Sequence, residues 1–369
     1  MTRIWVPLAF SLLLSGGASA QDGSWPESVA PYQLAYETAI SAGDEAAAME
    51  AAAAAWQAAR EARVRPALVG TLAENYGRLA LARGENARAY EAWSEAAEIS
   101  DRSHAPASER AMRWYQASLA AFANSDHVEA QQCALRASRA PALGSAPLDR
   151  QLAGDIHYMV AMSSARVGTG RIIGEHARLA LGAFEATGRA YDLVYANTYY
   201  LSGIANFRDE DGVAAAVDFH LAHQIYGLLD GPERQADADR ARVWRRRAQR
   251  DLTPEEEERV DAAIAGSAFP EAESRPGIAY PQVVERVEPR YPREAAMRGL
   301  EGHVLVQYTI NVAGGVEDVV VLASVPPGVF DEVSIEAIGQ WRYEPSLLAT
   351  DSQGRVAETQ FSFRLGRGP

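Results

Sequence analysis

Lysine is missing from this 369-residue chain: all 35 of its basic residues are arginine. That excludes Schiff-base lysines, phosphate loops that end in Gly-Lys-Ser/Thr, and Ser-x-x-Lys nucleophiles. Cysteine is nearly missing as well. Cys133 stands alone, so no internal disulfide can form and stability has to come from packing. Its surroundings, Glu129 to Ala137, favour a helix, and a single thiol there is expected to be buried and inert. Positive charge is in deficit: the formal net charge of −14 works against a phosphate-binding groove, so no nucleic-acid partner is expected. The chain carries no Gly-x-Ser-x-Gly elbow, His-Glu-x-x-His pair or paired-carboxylate motif, which argues against an enzyme. His220 and His223 stand one helical turn apart without a cysteine or carboxylate cluster, so neither a metal nor a cofactor is expected. Gly168-Thr169-Gly170, followed by Gly174, lacks the strand and the third glycine of a dinucleotide loop and reads as a bend between helices.

Long hydrophobic runs are scarce. Ile4 to Leu14 is apolar but contains Pro7, and it is shorter than the roughly 20 residues needed to cross a bilayer. With Arg3 before it and Ala18-Ser19-Ala20 after it, the run reads as a secretory signal over residues 1–20, cleaved before Gln21. The expected location is the periplasm. The alternative is a retained anchor in the inner membrane, with the rest of the chain facing the periplasm.

What is present is enough for folded cores. Hydrophobic residues make up 48% and charged residues 23%, and the length calls for two folded units. From Ala30 to about Arg250 the chain is alanine-rich with apolar residues at helical spacing. Breaks at Gly43, Gly84, Ser125, Gly168 and Glu210 are separated by 41, 41, 43 and 42 residues, an internal repeat. Nine residues after each break stand Ala52, Trp93, Ala134, Ala177 and Phe219; twelve after stand Ala55, Ala96, Ala137, Ala180 and Ala222. A recurring small residue lets the two helices of a hairpin approach while a bulky neighbour fills the flank. Gly77, Ala80, Gly84, Ala89, Trp93 and Ala96 resemble a tetratricopeptide repeat, although that family's period is about 34 residues. The resemblance implies an α-helical repeat solenoid over residues 21–265, whose concave face docks a partner; Tyr199, Tyr200 and Tyr226 are candidates to line it.

Thr253-Pro254-Glu255-Glu256 starts one more helix, with Thr253 as N-cap and Glu256 closing a capping box. Before it, Arg240, Arg242, Arg245, Arg246, Arg247 and Arg250 form a basic stretch, read as a solvated face or as a contact with anionic polymer or lipid. Residues 266–279, with Pro270, Pro276 and Gly277, form a linker.

The period then changes to two. Val304, Val306, Tyr308, Ile310 and Val312 alternate with polar residues, as in a strand with one buried face. Gly314-Gly315 supplies a tight turn to a returning strand, Val316 to Leu322. Phe330, Val333, Ala337, Ile338 and Trp341 form a helical stripe that covers the hairpin. A last strand follows, with Ala357, Thr359, Phe361, Phe363 and Leu365 facing the core and Val356, Glu358, Gln360, Ser362 and Arg364 facing out. Pro292 to Arg298 makes a short helix stopped by Gly299.

Glu288-Pro289-Arg290-Tyr291-Pro292, Gly299, Glu301-Gly302, Gly314-Gly315-Val316, Phe330 and Trp341-Arg342-Tyr343-Glu344-Pro345 resemble, in order and spacing, the TonB C-terminal domain. The resemblance covers residues 280–366. It implies a small α+β domain with a three-stranded antiparallel sheet that adds an extended peptide, such as that of an outer-membrane transporter or another envelope protein, beside its last strand. On that basis Arg355, Val356, Ala357, Glu358, Thr359, Gln360, Phe361, Ser362 and Phe363 supply the main-chain ladder, and Glu288 and Arg290 flank it. A second copy of the chain is an alternative occupant of the edge. The chain departs from TonB proteins in lacking an anchor with motor-engaging polar residues and a proline-rich spacer. It therefore reads as an adaptor in energy-coupled transport, or as a transducer if the leader is retained, with an inner-membrane motor or anchored partner held by its helical repeats. The alternative is an envelope scaffold that binds protein or cell wall without a transport role.

Overall fold

The structure is a computed structural model and describes residues 25–139, 147–189, 191–229, 231–267, 283–310, 314–343 and 355–365. The expected signal segment, the linker from residue 268 onward, Val312 and Pro345 lie outside the described residues. The chain forms two compact units, Met1–Arg189 and Ala190–Pro369.

The first unit is built from α1 (Ala30–Ala42), α2 (Glu45–Glu61), α3 (Pro66–Ala82), α4 (Asn86–Arg102), α5 (Ala107–Ala123), α6 (His127–Ser138), α7 (Pro147–Val167) and α8 (Gly170–Thr187). Each helix packs on the next. The cause lies at the breaks read from the sequence: Gly43, Gly84, Ser125 and Gly168 all adopt positive φ, between 65° and 86°, which ends one helix and reverses the chain. Asp44 and Asp126 then cap the following helices, accepting from the backbone N–H of Ala47 and Glu129 at 3.0 and 3.2 Å. Ala55, Ala96, Ala137 and Ala180 are completely buried where the paired helices cross. Gly77 shows how tight the crossing is, since a Cβ there would lie 2.9 Å from the Trp93 ring. Successive hairpins are tied by side chains 39 residues apart: Trp56 Nε1 donates to Glu95 at 2.8 Å, Tyr90 Oη to Glu129 at 3.1 Å and Arg113 to Glu74 at 3.3 Å. Cys133 is buried as expected, and burial pushes its thiol up to about 12, leaving it inert.

The second unit opens with one more hairpin of the same design, α9 (Leu193–Arg208) and α10 (Gly212–Gly227), with Glu210 at φ 63° and Asp211 as the cap. α11 (Pro232–Gln249) and α12 (Pro254–Ala265) follow. The capping box forms as read from the sequence: Thr253 Oγ1 accepts from Glu256 N at 3.3 Å, and the Glu256 carboxylate accepts from Thr253 N at 2.8 Å. Val260 and Ile264 of α12 pack with Ala215, Ala216 and Phe219 of α10, closing that end of the repeats.

After residue 282 come β1 (Val283–Glu285), α13 (Arg293–Met297), β2 (Gly302–Ile310), β3 (Val316–Val325), α14 (Asp331–Gly339), β4 (Arg342–Tyr343) and β5 (Arg355–Phe363). β2, β3 and β5 form a three-stranded antiparallel sheet in the order β3-β2-β5, so the fold is helical repeats followed by a small α+β domain. β1 and β4 make a separate two-stranded ladder that the sequence pattern did not signal. Val304, Val306, Tyr308 and Ile310 meet Ala337, Ile338, Trp341, Phe361 and Phe363 in one core under α14.

The expectation of a single buried sheet face is corrected by β2. His303 and Leu305, on the supposed polar face, are 3% and 0% exposed. α11 lies on that face, with Val243 packed against Leu305 of β2 and Ala323 of β3. The sheet is therefore sandwiched between its own helix and a helix that the sequence assigned to the repeats.

Candidate functional site: the open edge of the C-terminal sheet

β5 pairs with β2 from Gly302↔Phe363 to Ile310↔Arg355 and with no other strand among the described residues. An edge strand turns alternate backbone N–H and C=O groups away from its neighbour, so half of those on residues 355–363 face outward. Ala357, Phe361 and Phe363 point into the core as expected and Thr359 is half-buried. Leu365 is 37% exposed and lies past the end of the strand, so it is not a core residue.

The opposite face is not free solvent as the alternation suggested. Glu358 accepts from Arg242 Nη1 of α11 at 2.8 Å and from Gln307 Nε2 at 3.4 Å. His303 Nδ1 lies 3.0 Å from Ser362 Oγ and 3.2 Å from Gln360 Nε2. Burial, reinforced by the charges of Arg247 and Arg250, pushes the His303 imidazole down to about 4, so it is neutral at neutral pH.

The motif residues that carry the resemblance are braces. The Tyr291 hydroxyl donates to the Leu300 carbonyl, and its ring stands edge-on to Phe330 and Phe363 at 5.6 and 5.9 Å. Pro292 precedes α13 as its N-cap, and Gly299 ends it at φ 65°. Gly302 has no room for a side chain: a Cβ would sit 2.4 Å from the Phe330 ring and 2.5 Å from the Val325 carbonyl. Trp341 Nε1 donates to the Val287 carbonyl at 2.9 Å, with the ring edge-on to Phe361. Tyr343 shares a hydroxyl hydrogen bond with Tyr308, and Arg342 is bridged to Gly315 through the backbone. Glu288, Pro289 and Arg290 thus lie on a segment pinned at Val287 by Trp341 and at Tyr291 by Phe363. Glu288 pairs with Arg286 at 3.0 Å, both side chains exposed, and Arg290 is exposed.

Residues 287–365 match the family model described as Gram-negative bacterial TonB protein C-terminal. They form a TonB C-terminal domain. Over 77 residues the chain is 40% identical to Protein TonB of Pseudomonas aeruginosa, covering 21% of this chain and 22% of that protein. Over 65 residues it is 34% identical to Protein TonB of Escherichia coli, covering 18% and 27%. The solution structure of the Pseudomonas aeruginosa TonB C-terminal domain is 35% identical, covers 24% of this chain and 89% of that one, and gives a TM-score of 0.22. The chain thus spans about a quarter of the length of these curated TonB proteins.

Outside the TonB domain, several candidates have structural roles. Part of the basic stretch is engaged within the fold: Arg240 pairs with Asp237 at 2.9 Å, Arg242 with Asp239 at 2.7 Å, and Arg247 stacks over Phe207 and Trp244. Tyr226 is buried and donates to Asn197, while Tyr200 packs edge-on against Phe219. His220 is buried within reach of Arg245, 3.0 Å away, and His223 Nδ1 bonds the Ala238 carbonyl. Two features escaped sequence reasoning. His157 and His176 meet at 2.9 Å between α7 and α8, and burial lowers both imidazoles, yet their spacing of 19 residues carries no signal. The α11 cover of the sheet was announced only by Leu305 standing at a position the alternation reserves for polar side chains.

Proposed function

We propose that this protein is a TonB-family adaptor of the cell envelope. Its C-terminal domain takes up an extended peptide, such as that of an outer-membrane transporter, by strand addition beside β5, in support of energy-coupled transport. The helical repeats hold a second protein that anchors the chain, because a pull on a peptide requires a tether at the other end of the puller. The reading places the chain in the periplasm, on the strength of the leader-like residues 1–20 and the family resemblance; among the described residues no helix is long and apolar enough to cross a membrane.

The observation that carries this reading is the outer edge of β5, nine residues long, braced from both faces and paired with no further strand among the described residues. Its backbone can pair with an incoming strand whatever most of that strand's side chains are. The test is a backbone-methylation scan of a bound transporter-derived peptide, followed by calorimetry with the full chain. Methylating one alternate set of peptide nitrogens is expected to abolish binding and methylating the other set to leave it unchanged. Binding without that two-residue periodicity would point to a different surface.

A further inference from the structure

α11 brings charge as well as cover to the sheet. It runs alongside β5 in the same direction: Arg242 meets Glu358, and further along Arg247 and Arg250 act on His303, which faces Ser362. Arg242 and Arg246, one turn apart, fall on the flank of α11 nearest β5. Arg242 is already engaged by Asp239 at 2.7 Å and Glu358 at 2.8 Å. Arg246 is exposed and has no ion pair or hydrogen bond among the described residues. Partial desolvation and the charges of Arg242 and Arg245 lower its pKa, opposed by the charge of Glu358. The flank holds more positive charge than the fold neutralises.

A strand added outside β5 places every second side chain on the face shared by Glu358 and Gln360, which is the α11 side. We propose that the added strand is read for charge: the domain takes extended peptides with carboxylates at alternate positions, and Arg246, backed by Arg242, selects them. The guanidinium fork matches a carboxylate in shape as well as sign. This inference rests on the strand-addition reading. It assigns the selectivity to α11, outside the residues matched to the TonB domain, while the β5 ladder supplies a grip indifferent to most side chains.

The test uses the full chain and two labelled, end-blocked peptides of β5's length, built from Val and Thr with Glu at every second position in one and Gln in the other. Anisotropy titrations at about 0.05 M salt are expected to show the Glu peptide binding about fivefold tighter, a gap that closes near 0.5 M. Arg246→Gln is expected to bring the Glu peptide to the affinity of the Gln peptide and leave the latter unchanged, with the same unfolding midpoint as the parent. Equal binding of both peptides by the parent chain, or a Glu preference that survives Arg246→Gln, overturns the proposal and leaves strand addition standing. Binding of neither peptide overturns the strand-addition reading and the charge selection with it.

Discussion

Gly302 and His303 are adjacent in sequence and constrained for opposite reasons. Gly302 stands where Phe330 and the Val325 carbonyl close in on its Cα, so Gly302→Ala forces the sheet and the Phe330 ring apart. A cost of about 2–3 kcal/mol is expected from urea unfolding of the second unit. His303 is buried as a neutral ring. Its folded pKa, about 4, lies below the ordinary histidine value, so its contribution to stability is fully present above about 6.5. It is lost as pH falls from there to about 4, because the unfolded chain takes up the proton first. Since burial also lowers His157, His176 and His223, the readout is the difference between the parent and His303→Gln. That difference is expected to change by up to about 3 kcal/mol over this window. A flat difference would mean that the ring stays wet in solution.

At the level of elements, the contact between α11 and the sheet is the feature that sets this TonB domain apart from a domain with one solvated face. It has an apolar part, Val243 against Leu305 and Ala323, and an ionic part, Arg242 with Glu358. Val243→Ala is expected to cost about 1–2 kcal/mol and to lower amide protection in β2 and β3. The ion pair is a quarter to a third exposed on both sides, at 25% and 30%, so solvent screening limits it. A double-mutant cycle across Arg242 and Glu358 is expected to return no more than about 1 kcal/mol of coupling. The repeats obey a more local rule. Gly77 against Trp93 and Gly203 against Phe219 are the same crossing in two hairpins, with a Cβ at 2.9 and 2.8 Å from the ring, and alanine at either glycine should loosen its own hairpin.

For the whole molecule, α9 to α12 belong to the same compact unit as the TonB domain. A chain beginning at residue 191 is therefore expected to unfold with the midpoint that its residues show in the full-length protein. A chain beginning at residue 283 lacks α11 and exposes Leu305 and His303, both buried in the intact fold. It should lose about 2–4 kcal/mol, read by hydrogen exchange in β2. Equal stability of the two pieces would show that the α11 cover is incidental.

Much of this architecture is local, and local chemistry is what a sequence displays. The five breaks were legible because a left-handed turn is written in one amino acid, followed at Gly43-Asp44, Ser125-Asp126 and Glu210-Asp211 by a capping aspartate. The alternation in β2, the stripe of α14 and the spaced Tyr291, Gly302 and Trp341 marked the TonB domain, since each of these residues braces a neighbour within its own 80-residue segment. Glu358, Gln360 and Ser362 do alternate with the core residues as read, but their contacts were missed for the reverse reason. Their partners, Arg242 on α11 and His303 on β2, lie 116 and close to 60 residues away. The apolar stripe of α11, Ala238, Ala241, Trp244 and Ala248, packs with α10, and only Val243 among its buried apolar residues meets the sheet, too little to announce a second docking face. The sequence by itself determined which segments become repeats and which become the sheet. Only the tertiary structure decided that an arginine helix lies along the open strand, because that contact joins surfaces whose pattern becomes complementary only when both are folded.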